Sequence, residues 1–231
     1  MREYIVEQSS LTYKWTFQRM LPSLPGPGTP AFAELCKELH PYGISPSRVT
    51  VDTPSIRLSD VTVGIGLLDN RVALRLTSSA FELWLDELLE DDEEKLIPIA
   101  DLVFTALSSI DADVVQGDAK LRISSHLRLS PLENDALLRE HIKFFESVPH
   151  FIPDAVVYKI DFGQDSNAQE LRIAIANSHV YPDSIFVDIT ADYKGPISNA
   201  QLAEQMNTDY ERIIGTLGLK QQVEPVEDTV S

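Results

Sequence analysis

The sequence contains a single cysteine, Cys36, among its 231 residues. Because one thiol cannot form an intramolecular disulfide, the sequence favours a reducing compartment, and we expect a cytoplasmic location. Long apolar runs are also missing, since no stretch approaches the about 18 residues that are needed to cross a bilayer. The first seven residues carry two acids and lack the apolar stretch of a secretory signal. The sequence therefore predicts no association with a membrane.

Basic residues are few. Lysine and arginine together number 19 against 36 aspartates and glutamates, which gives a net charge of −17 and a pI near 4.5. A field of that sign repels phosphate backbones, and no cluster of basic residues is long enough to reverse it locally. We therefore expect no nucleic-acid binding.

Motifs for covalent or phosphate chemistry are absent. The sequence has neither a Gly-x-Ser-x-Gly elbow nor a Walker sequence, and Gly64-Ile65-Gly66 has no third glycine and no helix behind it. Cys36 falls in an apolar helical stripe with Phe32 and Leu39, which indicates a buried structural thiol rather than a nucleophile. The sequence predicts no catalytic residue and no cofactor.

Among the candidate site residues, the possible metal ligands have the least support from the sequence. The five histidines include no pair three or four residues apart, which a helical metal site would need. Asp161 and Asp188 fall in strand-like segments and could share a sheet face, with His179 in a nearby loop. Carboxylates at strand edges are ordinarily solvated, so the sequence assigns no metal site.

The first half of the chain begins with a strand-like alternation. Leu11, Tyr13, Trp15 and Phe17 occupy one face, and this period of two is typical of a half-buried strand. Thr29-Pro30 predicts a helix start, and Pro41 ends that helix. The other elements that we expect here are strands over 48–51, 61–68 and 71–77, with a turn at 69–70, and a helix over 96–110.

The second half repeats this order. A strand over 121–129 precedes Ser130-Pro131-Leu132-Glu133, a capping box that predicts a helix extending to Pro149. Ser198 begins a second capping box, and Gly218 suits the end of its helix. The strands expected between these helices cover 155–162, 170–176 and 184–191.

The repeated order predicts an α+β fold with tandem βαβββα units. The units would span residues 1–115 and 116–220, and residues 221–231 would form a flexible acidic tail. Alternating strands favour an antiparallel, curved sheet with the helices on one face. Joining the two sheets edge to edge would remove two exposed edges, which favours one continuous saddle.

This order resembles a family of uncharacterised, sporadically distributed bacterial proteins of about this size. The residues that carry the resemblance are 185–193 with the helix through 210–213, and the strand 121–129 with the segment 144–149. The unit order also looks like the helix-grip and TBP-like group of folds, in which a curved sheet wraps a long helix. The resemblance implies that fold and supplies no site residue.

The acidic stretch between residues 82 and 94 is the most unusual segment. It interleaves eight acids with Trp84 and four other large apolar residues, and Phe81 directly precedes it. Part of it has a structural explanation, because acids near a helix start stabilise the helix dipole. Trp84 with Glu90, Asp91, Asp92 and Glu93 is also typical of a surface that docks a basic partner.

Two hypotheses about function remain open. The first is a non-enzymatic accessory or immunity-type subunit of a bacterial system, which binds a partner protein through an acidic face or the sheet saddle. The second is a small-molecule binder, or an enzyme, with a cavity between the curved sheet and the long helix. Tyr158, Phe162, Met206 and Tyr210 would line that cavity.

Overall fold

The computed structural model describes residues 1–21, 29–44, 49–53, 61–88, 92–111, 114–141, 155–161 and 168–222. Its strands are β1 (Arg2–Phe17), β2 (Val49–Asp52), β3 (Thr62–Leu67), β4 (Val72–Leu76), β5 (Ala80–Leu85), β6 (Gln116–Arg128), β7 (Ala155–Asp161), β8 (Ala168–Asn177), β9 (Ser184–Tyr193) and β10 (Leu219–Gln221). Its helices are α1 (Pro30–Glu38), α2 (Asp92–Ile110), α3 (Pro131–Glu140) and α4 (Asn199–Thr216).

All ten strands belong to one sheet. Nine of them follow the order β2-β3-β4-β5-β1-β6-β9-β8-β7, and each neighbouring pair is antiparallel. The strand β10 pairs in parallel with the start of β1. The long strands β1 and β6 pair along most of their length and make the sheet continuous between the two halves. The predicted α+β class with a large antiparallel sheet is confirmed.

The helices cover one face of this sheet. Along β1 the buried residues alternate with half-buried or exposed ones, so that Leu11, Tyr13 and Trp15 point into the core. The apolar side chains of the helices, such as Ile99 of α2 and Leu202 of α4, join the same cluster. Apolar residues thus meet in one layer between the sheet and the helices, and the opposite sheet face carries no described helix.

Two of the three predicted helix starts are formed as expected. The Thr29 hydroxyl accepts a hydrogen bond from the Phe32 N–H, and at Ser198 both bonds of a capping box with Gln201 are present. The capping box predicted at Ser130 is not formed, so this prediction is wrong. The Ser130 hydroxyl instead donates to the Glu133 carboxylate at 2.6 Å and caps no backbone N–H.

The structure corrects three further expectations. Four strands lie between α1 and α2 rather than three, because 80–85 forms β5. Helix α3 ends at Glu140, well before Pro149, which lies outside the described residues. Cys36 is half-buried rather than a core residue, whereas its neighbours Leu35 and Leu39 are fully buried.

Among the described residues, no helix is long and apolar enough to span a membrane.

Candidate functional site

The sheet face opposite the helices carries the candidate site, and we call it the open face. Strand register places its side chains in rows across the sheet. Thr12 of β1 lies directly opposite Trp84 on one side and Arg122 on the other. Basic and acidic side chains alternate on this face although the chain as a whole carries a net charge of −17. The open face is therefore electrically balanced within a strongly acidic protein.

Trp84 is on the open face and outside the core. Its strand β5 buries Phe81, Leu83 and Leu85, so the residue between the last two points the opposite way. The ring is half-buried, and the Arg75 guanidinium carbon lies 4.4 Å from its centroid. A cation at this distance is attracted by the negative face of an indole ring. The pair offers a flat, partly apolar surface in a polar setting.

The acidic residues of the predicted docking site lie next to Trp84 in the sequence. Asp86 and Glu87 follow β5 and are exposed, and Asp92 and Glu93 are the first residues of α2. The structure describes only the backbone of Asp92 and Glu93, and Glu90 and Asp91 lie outside the described residues. The acidic part of the docking site therefore stays a prediction.

A groove of about 830 Å³ crosses the open face beside the Trp84–Arg75 pair. Its base includes Gly64 of β3, which lies directly opposite Thr50 on β2 and Arg75 on β4. A Cβ at position 64 would lie 2.5 Å from the Thr50 hydroxyl, so glycine at this position makes room for the Thr50 side chain. Lys14, Asp52 and Glu82 also line the groove. Sequence reasoning missed it, although glycine inside a strand is a known sign of close approach.

The cations of the groove differ from those in the second half of the sheet. Lys14 and Arg75 have no carboxylate oxygen of the described residues within 4.0 Å. On the second half, by contrast, most cations of the open face form ion pairs: Lys120 with Asp192 (3.0 Å), Arg122 with Asp188 (2.7 Å), Arg128 with Glu7 (2.9 Å) and Lys159 with Glu170 (2.8 Å). Lys14 and Arg75 thus share the groove with the carboxylates of Asp52 and Glu82 without forming an ion pair with a described residue.

The residues predicted to line a cavity are not brought together. Met206 is 1% exposed and its sulfur lies 3.8 Å from the Tyr193 hydroxyl, so it packs in the core at this point. Tyr158 lies on β7, where its hydroxyl donates to the backbone carbonyl of His141 just after α3. Phe162 is outside the described residues. Tyr210 lies one turn after Met206 on α4, and its hydroxyl forms hydrogen bonds with Tyr4 of β1 and Ser125 of β6 rather than with residues of β7.

Tyr210 belongs to a buried cluster of hydroxyl groups where β1 meets β6. The hydroxyls of Ser9 and Ser125 lie 2.7 Å apart, and Tyr210 forms hydrogen bonds with Ser125 and Tyr4. Burial is the main reason why the pKa of Tyr4 and that of Tyr210 lie above the ordinary tyrosine value. Such a network stabilises a junction between strands and needs no ligand to satisfy it.

A second polar cluster lies under α4. The Tyr193 hydroxyl donates to the buried Asp209 carboxylate at 3.1 Å, and Arg212 and Gln205 donate to the same group. Desolvation first, and then the Asp209 charge, raise the pKa of Tyr193. The carboxylate is thus fully supplied with donors, which describes a structural ion pair rather than a general base.

A serine–histidine contact joins β6 to the loop after β8. The Ser178 hydroxyl lies 2.9 Å from His126 Nδ1, and burial lowers the pKa of that histidine. The same oxygen accepts hydrogen bonds from the N–H groups of Val180 and Tyr181. The hydroxyl therefore joins two backbone N–H groups of the loop after β8 to His126, which gives the contact a structural role.

The two aspartates considered for a metal stay apart. Asp161 and Asp188 lie on β7 and β9, with β8 between these strands. The register also places Asp161 opposite Glu170 and Asp192, which is four residues from Asp188 along β9. That separation is more than 10 Å by standard sheet spacings. The Asp188 carboxylate accepts from Arg122 and Ser124, and the described residues contain no cluster of three potential metal ligands. His179 is exposed in the loop between β8 and β9.

Comparison with known proteins adds no assignment. No protein-family model matches the chain, and no curated protein matches its sequence significantly.

Proposed function

We propose that this protein is a non-enzymatic accessory subunit that binds a basic partner protein on the open face of its sheet. The observation that carries the proposal is the position of Trp84, half-buried on a sheet face that no described helix covers. A half-buried indole ring on an uncovered sheet face offers apolar area that a partner can bury. Tryptophan and arginine are also the residues most enriched at the energetic centres of protein interfaces.

Charge favours a basic partner. The net charge of −17 attracts cations over long distances and raises the rate of encounter. Asp86 and Glu87 are exposed directly after Trp84, and the acids of the α2 start follow in the sequence. A partner with an apolar anchor for Trp84 and basic residues around it would therefore meet complementary groups. Phosphate backbones would be repelled, so the partner is a protein and not a nucleic acid.

The proposal also covers how the fold is organised into units. We propose tandem βαβββα units of the helix-grip or TBP-like kind, over 1–115 and 116–220. The tail predicted over 221–231 is corrected at its start, because Gln221 is the last residue of β10. Support comes from the order strand, helix, strands, helix, which occurs twice, and from the central pairing of β1 with β6. The extra edge strand β2 would be an addition to the first unit. A cytoplasmic location also belongs to this proposal, because the chain has only one cysteine.

Site-specific photo-crosslinking tests the proposed surface. A photoreactive amino acid replaces Thr12, next to Trp84 on the open face, and in a matched protein it replaces Glu211, an exposed residue of α4. Both proteins are expressed in the source organism and irradiated. We expect a defined adduct with another protein from position 12 alone, and its loss when Trp84→Ala is added.

Two results would reject the proposal. Equal adducts from positions 12 and 211 would show that the open face has no special role. An adduct composed of two copies of this chain would show self-association in place of partner binding. The partner identified by mass spectrometry must also bind the purified protein, with an association rate that falls as salt is added.

A further inference from the structure

The groove on the open face has the size and chemistry of a ligand site, independent of any partner protein. Its volume of about 830 Å³ is within the roughly 300–1,000 Å³ that small-molecule pockets occupy. The row across its base runs from Thr50 through Gly64 and Arg75 to Glu82 and Lys14. Gly64 contributes no side chain to this row, and the Thr50 hydroxyl lies beside it.

The cations of the groove lack the neutralisation found elsewhere on the sheet. Lys14 lies directly opposite Lys120, a pairing of like charges that is unfavourable between antiparallel strands. Lys120 is compensated by Asp192 at 3.0 Å, whereas Lys14 has no described carboxylate oxygen within 4.0 Å. Arg75 stands opposite Glu82, but its guanidinium group lies over Trp84 instead. Two positive groups are therefore held at the groove and available to an anion.

The groove also contains hydrogen-bond acceptors. The carboxylates of Glu82 and Asp52 line it together with the hydroxyl of Thr50. These acceptors would repel a simple anion but would bind the hydroxyl groups of a polyol. An arginine fork and a lysine ammonium bind phosphate or carboxylate oxygens with charge-assisted hydrogen bonds.

From this arrangement we propose that the groove binds a small hydroxylated organic anion, a sugar phosphate or a sugar acid. Lys14 and Arg75 bind the acidic group, and Glu82 and Asp52 accept hydrogen bonds from the hydroxyls. Nothing in this assignment depends on the partner protein, because every residue that it names belongs to this chain.

Titrations monitored by NMR test the site in the purified full chain. The probes are ribose 5-phosphate, gluconate and inorganic phosphate, each added at constant ionic strength to 15N-labelled protein. We expect saturable shifts at the amides of Gly64 and Gly66 with at least one hydroxylated anion. Binding of ribose 5-phosphate alone would identify the acidic group as phosphate, and binding of gluconate alone would identify it as carboxylate.

Charge variants separate a built site from general attraction. Lys14→Gln and Arg75→Gln should each raise the dissociation constant about tenfold, since each removes a charge-assisted hydrogen bond. Lys159→Gln is the matched control, because it removes the same charge from the same face at an ion-paired residue near the opposite edge. It should leave the dissociation constant nearly unchanged. Gly64→Ala should weaken binding without any change of charge.

Three outcomes overturn the proposal. No saturable shift at Gly64 and Gly66 with either hydroxylated anion would show that the groove is not a site for this class. Binding of inorganic phosphate alone would reveal an adventitious ion only. An equal effect of Lys14→Gln and Lys159→Gln would mean that net charge, not the groove, determines the affinity. Thermal unfolding of every variant confirms that the changes in affinity do not arise from unfolding.

Discussion

The guanidinium group of Arg75 lies 4.4 Å from the centre of the Trp84 ring, on the sheet face opposite the helices. This contact joins the two candidate functions of the open face. Trp84 provides the apolar anchor of the proposed protein interface, and Arg75 lines the groove that we assign to a small anion. Occupation of the groove would fix Arg75 and with it the surface that the partner contacts.

The two serine N-caps provide a first prediction. Ser198→Ala removes a hydroxyl that accepts from the Gln201 N–H within a complete capping box, so it should cost about 1 kcal/mol of unfolding free energy. Ser130→Ala should cost clearly less, because that hydroxyl caps no backbone N–H. Urea unfolding of the two variants makes the comparison. Equal losses would mean that the Ser130 box does form.

These caps show which structural features a local sequence pattern can predict. The capping motifs at Thr29 and Ser198 lie within four residues, and both give the predicted hydrogen bonds. The turn predicted at 69–70 is also present, with positive φ at Leu68, Asp69 and Asn70. The motif at Ser130 has the same pattern but a different hydrogen bond, since its side chain can satisfy the Glu133 carboxylate instead.

The strand β5 was missed for a physical reason. Phe81, Leu83 and Leu85 alternate as a strand requires. In the sequence this alternation is obscured, because Trp84 is also apolar and a series of acids follows. Assigning Trp84 to the open face needs the pairing of β5 with β1 and β4, which are distant in sequence. The groove depends on five paired strands in the same way. No local pattern contains that information.

Buried tyrosines predict sensitivity to alkaline pH. Burial raises the pKa of Tyr4, Tyr193 and Tyr210 above the ordinary value of about 10. Below that pH both states keep the protons, so stability is unaffected. Above it the unfolded chain loses protons that the folded chain retains, and each such tyrosine costs about 1.4 kcal/mol per pH unit.

Absorbance of tyrosinate measures this effect. In the folded protein these three hydroxyls should titrate only together with unfolding, whereas exposed tyrosines should titrate near pH 10. Tyr193→Phe should reduce the loss of stability at alkaline pH while weakening the protein at neutral pH, because Asp209 loses a donor. A reversible titration of all tyrosines in the folded state would contradict the buried clusters.

Salt and charge substitutions test the acidic part of the interface. Replacement of Glu90, Asp91, Asp92 and Glu93 by their amides should lower the association rate with the basic partner, and added salt should lower it further. The same change at Glu3, Glu38, Glu204 and Glu211 alters net charge equally but away from Trp84. Stopped-flow association of the two variants separates a local docking site from long-range attraction. Equal association rates for the two variants would show that only the long-range attraction of the net charge contributes.

The unfolding free energy of Trp84→Ala tests the central claim most directly. Trp15→Ala is the matched control, because Trp15 is 1% exposed and stacks on Phe81 in the core. Without any partner, Trp15→Ala should cost about 3–5 kcal/mol. Trp84→Ala should cost only about 1–2 kcal/mol, since a half-buried ring and one cation–π contact are lost. Equal losses for the two variants would make Trp84 a core residue and contradict its role as a docking anchor.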